Sequence, residues 1–267
     1  MKNILLLVHD DAGQEARFQV ALDVVRAVEG HLSCLDVSVM PMVMDDYVAS
    51  AGQAMLLEDE RTREAANRKA LEARLAREQV SWDWTDATGA MAPLLSEASH
   101  LADLIVVNRK LDTLPEPDMQ KVAGDVVLSS GKPILAVPDA ACGLDVCGRA
   151  LVCWDGSTAA MAALRAAIPL LALAREVVLL EIDDGSIGTP AEEAATYLSR
   201  HGISATIVQR HVRTRAPADV ILEEIGDRHA DYVVMGGFGH FRLTEALFGG
   251  VTRILLTESP VPLLLAH

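Results

Sequence analysis

The chain has 267 residues, 51% hydrophobic and only 4% aromatic, and carries a formal net charge of −15. That length fits two domains of moderate size. The charge repels nucleic acid and anionic membrane surfaces, and no basic stripe offsets it.

Met1–Ile4 runs straight into a strand-like segment, without the layout of a secretory signal. The longest Ala/Leu-rich run, Ala159–Ala174, is interrupted by Arg165 and Pro169 and is too short to span a bilayer. Cys34, Cys142, Cys147 and Cys153 form no disulfide framework for a chain of this size. The expected compartment is the cytoplasm.

In chain order, Asn3–Val8 is an uninterrupted apolar run, the mark of a strand covered on both faces. A helix is expected over Gln14–Val28 and a strand over His31–Val39. A Met-rich stretch, Met40–Met55, then leads into a charged helix from about Ala54 to Glu78; its methionines either cover an apolar cavity or partner surface, or fill the core under a long connection. Val80–Thr85 reads as a strand with Trp82 and Trp84 on one face, Met91–Ala102 as a helix, Leu104–Val107 as a strand, Val122–Ser130 as a helix and Ile134–Val137 as a strand. Residues 139–148 have little periodicity and read as a linker.

After it the pattern restarts. Strands are expected at Ala150–Trp154, Val177–Ile182, Ile203–Val212, Tyr232–Met235 and Val261–Ala266. Helices are expected at Thr158–Ala174, capped by Ser157, at Pro190–His201, at Ala216–Ala230 and at Arg242–Thr257. The two halves also align in detail: Val8-His9-Asp10 beside Cys153-Trp154-Asp155, Ala102–Val107 beside Ala230–Met235, and Lys132–Ala136 beside Val261–Leu265. An internal duplication of alternating strand and helix implies a doubly wound parallel sheet in each half. The expected division is a first domain at 1–138, a linker at 139–148 and a second domain at 149–267.

The strand at Tyr232–Met235 ends in Gly236, Gly237 and Gly239, and a second pair, Gly249-Gly250, follows one helical segment later. Amides of a glycine loop aimed at a helix N-terminus suit an anionic phosphate. The spacing Gly236-x2-Gly239-x9-Gly249 is neither a Walker A nor a dinucleotide fingerprint. It resembles the phosphate loop of the universal stress protein family, whose pattern is G-x2-G-x9-G-[S/T]. Gly250 stands at the hydroxyl position, a departure, with Thr252 two residues on.

With the duplication, the resemblance extends to the tandem type and covers nearly the whole chain. It implies a Rossmann-like fold of the adenine nucleotide alpha hydrolase type, with two five-stranded parallel sheets of order 3-2-1-4-5. It also implies a pseudo-dimer of the two halves through their last strands, with a further homodimer as an option. For the second half it implies ATP, with Mg²⁺ carried by the phosphates: Asp155 at the adenine, an apolar contact near Ile182, phosphates along Gly236, Gly239, Gly249, Gly250 and Thr252, and Met235 and Val251 also in the nucleotide site.

His240 and Arg242 follow directly and are candidates for the outer phosphates, Arg242 through paired hydrogen bonds. Alone, Asp155 reads as a turn residue beside Gly156, and the glycines as a tight turn packed on a helix. The first half keeps Asp10, but Asn108–Pro117 brings prolines and acids in place of the loop, so it is read as degenerate for ATP. Arg109 and Lys110 read as a solvated pair or a site for another anion. His9 and His240 appear isolated, with no metal-ligand spacing, and no catalytic nucleophile is evident. The function expected is an ATP-binding regulator or sensor of stress; the alternatives are a nucleotide-free scaffold and a slow ATP hydrolase using His240 or Arg242.

Overall fold

The computed structural model describes residues 1–39, 49–110, 118–183, 187–211, 215–237 and 250–267, with 49–54 and 183 by backbone alone. The first half runs β1 (Asn3–Val8), α1 (Gln14–Val28), β2 (His31–Val39), α2 (Ala49–Leu75), β3 (Ser81–Gly89), α3 (Met91–Ala98), β4 (Leu104–Asn108), α4 (Met119–Ser130) and β5 (Ile134–Val137). The second repeats it with β6 (Arg149–Trp154), α5 (Thr158–Leu171), β7 (Glu176–Asp183), α6 (Ala191–Arg200), β8 (Ala205–His211), α7 (Pro217–Arg228), β9 (Tyr232–Gly236), α8 (Gly250–Glu258) and β10 (Leu263–Ala266).

The strands join in one ten-stranded sheet ordered β3-β2-β1-β4-β5-β10-β9-β6-β7-β8. Each half therefore has the order 3-2-1-4-5. Pairing is parallel within each half and antiparallel only at the junction, where Leu264 lies opposite Leu135. Central strands are apolar along their length because both faces are covered: Ile4, Leu6 and Val8 face one layer, Leu5 and Leu7 the other. Helices α1, α2, α5 and α6 build the first layer, and α3, α4, α7 and α8 the second.

The repeated Ala-Asp pair before β4 and β9 has a physical role in both halves. Lys2 N and Asn3 N donate to Asp103 Oδ2 at 2.6 and 3.0 Å, and Arg149 N donates to Asp231 Oδ2 at 2.6 Å. Each aspartate thus ties the start of β4 or β9 to the entry of β1 or β6, satisfying amides that begin outside the ladder.

Several boundaries differ from the sequence expectation. Helix α2 starts at Ala49, not Ala54, and β3 continues to Gly89 because β2 pairs with it over its whole length. The helix expected at Met91–Ala102 ends at Ala98 and tightens into a 3-10 turn at Ser99–Leu101. Helix α4 begins at Met119 because Asp118 accepts from Lys121 N at 3.0 Å. Of the Arg242–Thr257 helix, residues before Gly250 lie outside the described residues. Segment 139–148 holds no regular element, yet Leu144 and Val146 are buried and Leu144 N donates to Asp23 Oδ2 at 2.9 Å.

Candidate functional site

In the second half, β6 lies between β7 and β9, and the chain passes from β6 to α5 in one layer and from β9 to α8 in the other, the switch point at which doubly wound sheets place a crevice between strand ends. Asp155 stands at the carboxyl end of β6, exposed, with Oδ1 accepting from Ser157 N at 2.9 Å. This is the turn role that its position beside Gly156 suggested. Ser157 Oγ then accepts from Ala160 N at 3.1 Å and caps α5. Gly156 is the residue the turn demands: its φ is +69°, and a Cβ there would lie 2.1 Å from Thr189 N.

Gly236 closes the other side. A Cβ on it would lie 2.6 Å from Ala160 N and 2.8 Å from the Ala159 carbonyl carbon, so β9 ends pressed against the first turn of α5. The next amide is committed: Gly237 N donates to Ala266 O at 2.8 Å, and Gly237 O faces His267 Nδ1 at 3.0 Å. Gly250 is exposed with open space around its Cα, Val251 is half-buried, and Thr252 is buried at the start of α8. Met235, Ile182, Val251 and Cys153 belong to one apolar cluster, with Met235 buried and the others at its edge. Burial pushes the Cys153 thiol up to about 12, so it stays protonated and acts as an apolar neighbour. Gly239, His240, Arg242 and Gly249 lie outside the described residues.

The first half fills the corresponding crevice. Asn108 occupies the place of Gly236, and Arg17 of α1 enters beside it; both side chains are fully buried. Arg17 Nε donates to Leu7 O at 2.8 Å, Nη2 to His9 O at 2.6 Å and Nη1 to Asp11 Oδ1 at 2.6 Å and to Asn108 Oδ1. Asn108 Nδ2 in turn donates to Gly13 O at 3.1 Å. Asp10, the counterpart of Asp155, has its amide held by Glu64 at 3.0 Å and its carboxylate beside Arg63. Sequence reasoning missed Arg17; the available signal was an arginine on the apolar face of α1, between Ala16 and Phe18.

Two further readings of the sequence are corrected. Arg109 is not a solvated partner of Lys110: it is half-buried, and its guanidinium donates to Leu256 O and Thr257 O at the end of α8. Gln120 on α4 adds a bond to Arg253 O at 3.1 Å. His9 is not isolated, because α2 brings Glu64 to 2.8 Å from its Nδ1. Burial opposes protonation of His9, but the hydrogen bond and charge of Glu64 outweigh it and raise its pKa. Of the Met-rich stretch, Met55 is 70% exposed, and residues 40–48 lie outside the described residues.

All four cysteines are free. Among the described residues no helix is long and apolar enough to cross a membrane.

Residues 148–267 match the universal stress protein family. The second half is a universal stress protein domain. The architecture of the whole chain matches a universal stress protein from Archaeoglobus fulgidus DSM 4304, covering 99% of this chain and 97% of that one, with a TM-score of 0.77 at 15% identity. It also matches a protein of Pseudomonas aeruginosa UCBPP-PA14 assigned provisionally to the same family, covering 100% and 93% of the two chains, with a TM-score of 0.58 at 17% identity. At such identities the likeness concerns the fold. No curated protein matches the chain. The family match begins one residue before β6 and ends with the chain, so it falls on the half whose crevice is built from glycine and alanine.

Proposed function

We propose that the chain is a tandem universal stress protein that binds ATP in its second half and acts as a stress-response regulator or sensor. Residues 1–138 are the first domain, 139–148 the linker and 149–267 the second domain. The two associate as a pseudo-dimer through β5 and β10. Adenine lies against Asp155 and the Ile182 edge of the apolar cluster. Phosphates, with Mg²⁺ carried on them, take the amides between Gly236 and Thr252, and His240 and Arg242 reach the outer phosphates.

The observation that carries the reading is the contrast between the two switch points. In the second half, Gly236 packs directly on the backbone of Ala159–Ala160 at the capped N-terminus of α5, and no side chain comes between β9 and α5 at this point. In the first, Arg17 and Asn108 occupy it. A nucleotide needs room for its ribose and unspent amides for its phosphates, so one site per chain follows. Helix α8 links the halves: its first turn borders the phosphate loop, and its last carbonyls receive Arg109. Ligand that stabilises its N-terminus therefore bears on the first domain.

A scaffold without nucleotide is the second reading. Two observations favour it: Gly236 already has a packing role, and the Gly237 amide is already bonded. Acid release from the purified protein followed by chromatography separates the readings. ATP supports the regulator and ADP accumulating with time a hydrolase. Nothing released, with no titration heat on adding Mg-ATP, supports the scaffold.

A further inference from the structure

Glu60 and Glu64 are one helical turn apart on α2, so they leave the same face of the helix. That face lies over the carboxyl end of β1, where His9 is buried. His9 Nδ1 sits 2.8 Å from Glu64 Oε1 and 3.7 Å from Glu60 Oε1, and one ligand atom from each residue lies within 4.8 Å of the others. Metal–ligand bonds of about 2.0–2.2 Å place neighbouring donors roughly 3–3.5 Å apart, so a cation fits between these atoms with little movement.

Two unsatisfied oxygens point the same way. Glu60 Oε1 is buried with no hydrogen-bond partner. Asp36, on β2, is 3% exposed; its carboxyl reaches Glu64, and its Oδ1 also has no partner. A buried carboxylate oxygen left without a donor or cation is costly, and here three carboxylates converge on one imidazole. Among the described residues, the cationic side chain paired with the group is Arg63, which meets Glu60 at 2.5 Å from the solvent side.

We propose that His9, Glu60 and Glu64, with Asp36 behind them, form a site for a divalent transition-metal ion in the first domain. An imidazole nitrogen among carboxylates suits an ion of the zinc or manganese type better than Mg²⁺ or Ca²⁺, which favour all-oxygen cages. The His9 Nδ1 proton, otherwise shared between Glu64 and Val37 O at 3.0 Å, is released to solvent as the ion takes its place. Three protein ligands with Glu60 at the solvent edge leave a coordination position for water or a partner's group. The proposal is independent of nucleotide binding in the second half.

The test uses the full chain without an affinity tag, stripped by chelator and titrated with Zn²⁺ by calorimetry and with Co²⁺ by visible absorption. The expected result is one high-affinity equivalent per chain and Co²⁺ d–d bands of nitrogen and oxygen ligation. Glu60→Gln, a substitution that leaves backbone contacts intact and whose fold is checked by circular dichroism, should weaken Zn²⁺ at least tenfold and remove the Co²⁺ bands. His31→Gln, at a surface histidine paired with Asp83, should leave both unchanged. No uptake, or equal uptake by wild type and Glu60→Gln, overturns the proposal and leaves the cluster held by shared protons.

Discussion

Gly156 shows how one residue type follows from two constraints that sequence alone does not separate. It adopts φ +69°, and its backbone lies against Gly188 and Thr189, which close the turn through Gly188 N to Asp155 O at 3.0 Å. Gly156→Ala meets both the left-handed strain and a backbone clash, so it should destabilise the chain by about 2 kcal/mol or more, read from urea unfolding. Asp103 makes a different prediction. Burial raises its pKa, but the amides of Lys2 and Asn3 outweigh that and hold it below the usual aspartate range. A depressed pKa contributes stability that is complete above the unfolded value and fades as pH falls below about 4. Asp103→Asn should therefore flatten the acid limb of the stability curve while leaving its slope between pH 5 and 8 unaltered, measured by thermal unfolding across pH.

At the scale of elements, the strands were the most legible part of the chain. Runs such as Ile4–Val8 and Ile105–Val107 have no competing reading, since both faces are buried and no helical period interrupts them. Helix ends were less legible because caps decide them, and Asp118 and the 3-10 turn after Ala98 are local hydrogen-bonding choices within one turn. Asp155 and Gly156 were legible as a turn because an Asp-Gly pair after a strand marks one. Arg17 and the Glu64–His9 contact were not, since each depends on which face of a helix meets a strand end far away in sequence. The Arg109 contact with α8 belongs to the same class, spanning both halves. Arg109→Ala should cost about 1–2 kcal/mol in global stability, as loss of charged hydrogen bonds does. It should also speed hydrogen exchange at the end of α8; unchanged exchange there would mean that the helix end is held by other contacts.

At the scale of the molecule, two duplicated units share one sheet and have diverged at the same point of the fold. Antiparallel pairing of β5 with β10 leaves β3 and β8 as edges of the sheet among the described residues; β3 alternates exposed and half-buried residues along much of its length, and β8 ends in the exposed polar run Gln209-Arg210-His211. The junction also places α8 against α4 and Arg109, so the glycine-built crevice is mechanically tied to the half that lacks one. The proposed division of labour is that one half receives the nucleotide and the other supports it. Its most direct test is the stoichiometry of Mg-ATP binding to the intact chain by equilibrium titration, with Gly239→Asp and Asp10→Asn alongside. The account predicts one ATP per chain, abolished by Gly239→Asp and retained in Asp10→Asn. Two equivalents per chain, or binding that survives Gly239→Asp, would contradict it.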